Sequence, residues 1–297
     1  IAQGCLAGGH GASSLVEWSA RIPLRPLLFL LDDLESSRQS PRAIDGHVRG
    51  QCGEVGGRGS LCTTMDVSMR DEPRDEPALQ WNGLDARSSA SDWVVELRDQ
   101  IADAAKTGCW PVLLAKLAEH AVYVNAPRLG GTSQFTPLHQ AAYWCAPIEV
   151  VDALLALGAW RTLRSAKHDR PVDVARRRGA DAALVARLEP VVVNPLPLEI
   201  LSAIQVHFHA LIRRRAEAQV VEHRLRLPEL EPLQEIRLGR RVWFPVPGMY
   251  GGFSYWLEHA GEVPMVMAES LCRVVGGSGE RHAITAQGTS LIASGFV

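Results

Sequence analysis

The stretch over residues 135–159 constrains the fold more than any other part of the chain, because it carries the start and stop signals of two consecutive short helices. Thr136 stands where a helix N-cap belongs and Pro137 where the first helical residue belongs, and both residue types favour those positions. Pro147 opens a second segment with apolar residues at a near-helical period, and Gly158 suits the left-handed conformation that commonly ends a helix. One helical hairpin cannot bury its own apolar faces, so we expect neighbouring hairpins.

A weaker copy of this pattern follows at the spacing of a structural repeat. Pro171 lies 34 positions after Pro137, and Ala175 lies at the same distance from its own counterpart. Arg170 takes the place of the capping threonine and Asp173 the place of the histidine. These departures suggest a terminal repeat whose outer face meets water or another module.

The run Thr-Pro-Leu-His-x-Ala-Ala, followed by Leu-Leu-x-x-Gly-Ala at this distance, resembles an ankyrin repeat. A looser unit over residues 101–126 has the alanine pair and closing glycine but lacks the Thr-Pro-Leu-His start, as a capping repeat does. The resemblance covers roughly a third of the chain and implies about three repeats over residues 91–190. It also implies that His139 bonds back to Thr136 and to a neighbouring repeat. The motif residues are Thr136, Pro137, Leu138, His139, Ala141, Ala142, Gly158, Pro171 and Ala175.

The rest of the chain divides into three further segments. An apolar stripe predicts a long helix over residues 196–227, and alternating strand-like runs with glycine turns predict a small antiparallel sheet over residues 237–297. The predicted fold class is therefore an α-helical ankyrin solenoid followed by a small α+β module with an antiparallel sheet, after a disordered N-terminal segment.

Residues 1–64 are rich in Gly, Ser and Arg and show neither helical nor strand periodicity. We expect a disordered leader there, with translation from upstream of the true start and a regulatory tail as two interpretations. Residues 69–77, charged and broken by proline, are typical of a linker.

The ankyrin resemblance implies a concave surface, formed by loop fingers and by exposed positions of the inner helices, that binds a partner protein. The aromatic and arginine residues among these positions are the types that dominate interface hot spots, and they favour an acidic or aromatic peptide. The alternatives are that Trp144 packs on an adjoining helix and that the arginines form a solvated face. The predicted partner-binding residues are Asp103, Lys106, Gln140, Tyr143, Trp144, Trp160, Arg161, Arg164, Arg177 and Arg178.

Charge and cysteine content narrow the function classes. The net charge is −2, so no global field attracts nucleic acid or an anionic membrane, and nucleic acid is the weaker partner hypothesis. No run approaches the roughly 20 apolar residues of a membrane span. The six cysteines are scattered, without metal-ligand spacing, which favours free thiols in the cytoplasm. Only three residues are lysine, and the arginine-rich composition is typical of a GC-rich bacterial genome.

The first functional hypothesis is an intracellular adaptor that is not an enzyme and needs no cofactor. The alternative is a small enzyme whose chemistry lies in the C-terminal sheet, at groups such as Glu269, Arg273 and His282. The sequence shows no recognisable catalytic set of a nucleophile, a general base and a residue that orients the base. His207 and His209 are two positions apart on the predicted helix, so their rings diverge and do not favour a shared metal.

Overall fold

The computed structural model describes residues 79–261, 263–273 and 278–295, so the predicted leader and linker over residues 1–77 lie outside the described residues. The described residues belong to one compact unit. Its first half is helical and its second half is built on a sheet.

The helical half consists of three consecutive hairpins, each made of two helices in contact. The first helix, α1, is the longest of these six; a turn and then its outer partner follow it, and the same order recurs twice. The helices are α1 Asp92–Lys106, α2 Trp110–Glu119, α3 Pro137–Tyr143, α4 Ile148–Ala156, α5 Pro171–Arg178 and α6 Ala182–Leu188.

Local chemistry sets the ends of these helices. Thr136 and Asp181 are N-caps whose side chains accept hydrogen bonds from the third helical N–H of α3 and α6. Proline is the first residue of α3 and of α5, where its missing N–H costs nothing. Gly179 ends α5 with a φ of 72°, a conformation that glycine adopts without strain.

The hairpins stack side by side around a shared apolar core. The inner helices α1, α3 and α5 contact one another in sequence, as do the outer helices α2, α4 and α6. Ala141, Ala142 and Ala175 are fully buried, and their small side chains allow the inner helices to approach closely. Leu113 and Leu154 of the outer helices are also fully buried. Burial of each such side chain stabilises the fold by about 1.5–3 kcal/mol.

The second half combines one sheet with a long helix. Helix α7, Leu198–Glu222, departs from helical geometry at Ala216 and packs on one face of the sheet. On that face Phe208 lies 5.0 Å from Tyr255, measured between ring centroids. The strands are β1 Leu79–Gln80, β2 Val242–Val246, β3 Gly251–Ala260, β4 Val263–Cys272, β5 Ser278–Thr285 and β6 Gly288–Ser294.

The sheet has the order β1-β2-β3-β4-β5-β6, and it is mixed. Strands β2 to β6 form an antiparallel meander, but β1 pairs in parallel with β2, through Leu79 opposite Val242 and Gln80 opposite Trp243. A parallel pair requires a crossover, and here the crossover contains all seven helices of the described chain.

The predicted fold class is therefore wrong. A purely helical array followed by a small module with an antiparallel sheet does not describe a chain whose sheet begins before its first helix. The core of the sheet also contains Trp81, which directly follows β1, and Trp160 and Leu163 from the loop between the second and third hairpins. The fold is α+β with a six-stranded mixed sheet. Residues of the sheet, of α7 and of the segments at Trp81 and Trp160 pack in one core.

Candidate protein-interaction surface

The inner helices end at one edge of the helical stack. Lys106, Tyr143 and Arg178 are the last residues of α1, α3 and α5. Because these helices lie side by side, their C-terminal ends form a row that crosses all three hairpins.

Side chains at these ends contact one another between hairpins. The indole nitrogen of Trp144, which follows α3, donates to the carbonyl oxygen of Lys106 at 2.9 Å. The Tyr143 and Trp144 rings meet edge to face with centroids 5.4 Å apart. The guanidinium of Arg178 lies 4.4 Å from the centre of the Tyr143 ring, and its Nε donates to the Tyr143 carbonyl at 3.1 Å. We call Lys106, Tyr143, Trp144 and Arg178 the aromatic–cation row.

The aromatic–cation row keeps much of its apolar surface in contact with water. Trp144 is 50% exposed and Tyr143 is 37% exposed, although both make contacts with neighbouring hairpins. Exposed tryptophan and tyrosine beside a cation are the residue types that carry most binding energy at protein interfaces. The contacts fix these side chains in place. The entropy cost of ordering them when a partner binds is therefore smaller.

Three other predicted binding residues lie on the same inner helices but are engaged or partly covered. Asp103 forms an ion pair with Arg128, and Arg177 forms a two-pronged pair with Asp169 at 2.6 and 2.7 Å. Gln140 is half-buried. Arg128 and Asp169 were not predicted from the sequence, and they neutralise two of the charges that the prediction assigned to a partner.

The loop between the second and third hairpins does not form the exposed binding finger that was predicted. Trp160 is only 3% exposed and its ring stacks on Trp81 with centroids 6.2 Å apart, so it is a core residue. Arg161 donates to the Arg187 carbonyl at 3.1 Å and lies near Glu235. The loop packs on the C-terminal half instead of extending as a free finger.

Arg164 belongs to the same correction. Its Nε donates to Glu231 at 2.7 Å, and Glu231 is also paired with Arg170 at the start of α5. Nearby, the carboxylate of Glu235 accepts from the Thr162 N–H at 2.7 Å, and burial raises the pKa of this carboxyl group. Three arginines, Arg161, Arg164 and Arg170, thus pair with two glutamates, Glu231 and Glu235. The long separation of these residues along the chain prevents the pairing from being recognised in the sequence.

The repeat motif holds the second and third hairpins together. His139 is fully buried, with Nδ1 2.8 Å from the Thr136 hydroxyl and Nε2 3.1 Å from the Asp169 carbonyl oxygen of the next hairpin. Burial lowers the pKa of His139 to about 4. Pro137 and Leu138 are buried beside it, and Gly158 has a φ of 92° at the end of the outer helix.

The residues of the enzymatic alternative are not brought together. Glu269 lies opposite Arg281 in the sheet, and Ala268 lies opposite His282, so Glu269 and His282 point to opposite faces. His282 faces α7, where Arg214 is 3.2 Å from its Nε2. Glu269 pairs with Arg241 and Arg281 on the other face, and Arg273 is exposed beyond the end of β4.

The described residues show neither a metal-binding cluster nor a membrane-spanning helix. No group of three or more His, Cys, Asp or Glu side chains there is arranged to hold a metal ion. Helix α7 is the longest described helix, and neither it nor the others combine the length and apolar character that a bilayer crossing demands.

Comparison with known proteins adds no family assignment. No protein-family model matches the chain, and the search of curated proteins found no match.

Proposed function

We propose that this chain is an ankyrin-repeat protein that acts as an adaptor, binding a partner protein through the aromatic–cation row. The ankyrin assignment is supported by the spacing of the second and third hairpins and by His139, which bonds to the next hairpin through its ring. The proposal includes a cytoplasmic location. Cys109, Cys145 and Cys272 are free thiols, as is usual in a reducing compartment.

The observation that carries the proposal is the exposure of Trp144 in a fixed position. An exposed aromatic side chain on a flexible loop needs no explanation, but this one is held by a hydrogen bond to another hairpin and by an edge-to-face contact. Its ring is therefore presented to solvent in one orientation. Interfaces use such anchors at their centres.

The test is affinity capture with the full chain as bait, followed by a binding measurement with the purified partner. The double variant Tyr143→Ala/Trp144→Ala is compared with Trp93→Ala, a matched control because Trp93 is 59% exposed at the other end of α1. A hot-spot loss of about 2 kcal/mol corresponds to roughly a thirtyfold higher Kd for the double variant. The control is expected to bind like the wild type.

Thermal melting of each variant is measured beside the binding assay, since the double variant also loses the bond to the Lys106 carbonyl. A folded double variant that binds the purified partner with the wild-type Kd overturns the assignment of this surface. Loss of binding by Trp93→Ala alone would move the surface to the start of α1.

A further inference from the structure

The aromatic–cation row carries two positive charges without an internal counterion. Within the described residues, neither Lys106 nor Arg178 has a carboxylate within ion-pair distance, although Arg176 and Arg177, beside Arg178, are both paired. The acidic residues of the inner helices near the row, Asp103 on α1 and Asp173 on α5, are paired with Arg128 and Arg176. The row itself therefore carries two formal positive charges, although the whole chain has a net charge of −2.

Two carbonyl groups at the ends of the inner helices already have hydrogen-bond donors from within the row. The C-terminal end of a helix carries partial negative charge on its unpaired carbonyl groups. Here the Lys106 carbonyl accepts from the Trp144 indole, and the Tyr143 carbonyl accepts from Arg178. These donors satisfy the carbonyls that would otherwise attract a cation from a partner.

The spacing of the row limits the shape of its ligand. Neighbouring packed helices have axes about 8–10 Å apart, so the ends of α1 and α5 are about 16–20 Å apart with α3 between them. An extended peptide advances about 3.3 Å per residue. Because side chains alternate between the two faces of an extended peptide, two carboxylates that reach Lys106 and Arg178 are about six positions apart, and an apolar side chain at an even offset between them reaches Trp144.

We infer that the partner contributes an extended acidic segment, with two carboxylates at this spacing flanking an aromatic or aliphatic residue. This inference rests on the proposed function and names the chemistry of its ligand. The carboxylates pair with Lys106 and Arg178, and the central side chain packs on the exposed face of Trp144.

The probe is a fluorescein-labelled peptide with the core Glu-Ser-Phe-Ser-Ser-Ser-Glu, in which both glutamates and the phenylalanine share one face of an extended chain. It is titrated with the full chain and followed by fluorescence anisotropy. Two comparison peptides have the same length, one with both glutamates changed to glutamine and one with both glutamates moved to the same end. The spaced glutamate peptide is expected to bind best, and added salt is expected to weaken it because exposed ion pairs are screened.

Variants test the two cations separately. An exposed ion pair is worth about 0.2–1 kcal/mol, so Lys106→Gln and Arg178→Gln are each expected to raise the Kd by up to about fivefold, and Arg178→Lys to recover part of the loss. Lys116→Gln is the control, because Lys116 lies on α2, outside the row, and its side chain donates to Gln100 of α1. It is expected to leave the Kd unchanged.

The inference is overturned by equal binding of the glutamate and glutamine peptides, or by no binding of the spaced peptide. It is also overturned if a purified partner loses affinity on Trp144→Ala but not on Lys106→Gln or Arg178→Gln. In that last case the proposed function stands and only the acidic chemistry fails. Unchanged partner binding by the Tyr143→Ala/Trp144→Ala variant removes the proposed function itself.

Discussion

Acidification is expected to weaken the contact between the second and third hairpins through one buried ring, that of His139. The Asp169 carbonyl oxygen can only accept, so the Nε2 that faces it at 3.1 Å carries the proton of the neutral ring. Nδ1 is then the acceptor for the Thr136 hydroxyl at 2.8 Å. Protonation at Nδ1 removes that acceptor and leaves a charge in a fully buried site.

The sign of the effect follows from the direction of the pKa shift. Burial lowers the pKa of His139 from 6.5 to about 4, so the unfolded chain takes up its proton at a higher pH than the folded one. Stability from this group is complete above the unfolded value and is lost as the pH falls from about 6.5 towards about 4. The full difference corresponds to about 3 kcal/mol, of which about 2 kcal/mol is lost at about pH 5.

The assay is urea unfolding followed by circular dichroism at a series of pH values between about 7.5 and 5. His139→Gln is expected to lower stability at neutral pH but to give a flatter pH profile, because glutamine does not titrate. Other groups titrate in both proteins, so the difference between the two profiles isolates the His139 contribution. At about pH 5 a loss of about 2 kcal/mol corresponds to a fall in Tm of roughly 4–8 °C.

The exposed His259→Gln variant is the control, and its profile is expected to follow the wild type. Parallel profiles for the wild type and His139→Gln over this range would refute the reasoning. The refuted step would be the identification of Nδ1 as a buried acceptor that must remain unprotonated.

Three further substitutions test the packing and ion pairs. Trp160→Ala is expected to lower the free energy of unfolding by about 3–5 kcal/mol, measured with urea, because its ring is buried. Trp144→Ala is expected to lower it by less than about 1 kcal/mol. Similar losses in the two variants would contradict the distinction between core and surface. Gly252→Ala places a Cβ 2.2 Å from the Phe244 carbonyl oxygen and is expected to cost at least about 2 kcal/mol, with near-wild-type melting as the contrary result. Glu231→Gln leaves two arginines without their buried counterion and is expected to cost about 3 kcal/mol by thermal melting, and an unchanged Tm would show that the pair contributes little.

The sequence allows the helical hairpins to be predicted because their signals are local. The Thr136-Pro137 start of α3 and the Pro171 start of α5 are each set by bonds within three or four residues. The exposed positions at the ends of the inner helices are instead implied by the ankyrin resemblance, with packing of Trp144 on an adjoining helix as the alternative. Tyr143 and Trp144 are exposed, and Trp144 also bonds to the neighbouring hairpin.

The mixed sheet could not be predicted in this way. Strand β1 has two residues, too few to show an alternating pattern, and its partners at Val242 and Trp243 lie more than 160 positions later. The burial of Trp160 has the same kind of cause, because it depends on Trp81 stacking against it from a segment with no periodicity of its own. Contacts over such distances along the chain depend on tertiary packing, which a single sequence does not specify.

The departures of the third hairpin from the repeat pattern acquire a physical reason in the structure. Arg170, which replaces the capping threonine, pairs with Glu231 of the C-terminal half, and Asp173, which replaces the histidine, accepts from the Arg170 N–H at 2.9 Å. Arg170 is thus used to attach the third hairpin to the C-terminal half, while Asp173 caps the start of α5. Arg164 is also used for that attachment, so the loop between the second and third hairpins packs on the C-terminal half, whereas Tyr143 and Trp144 at the end of α3 stay exposed. Substitutions at Glu231 should therefore change stability without changing the affinity of the folded protein for a ligand of the aromatic–cation row.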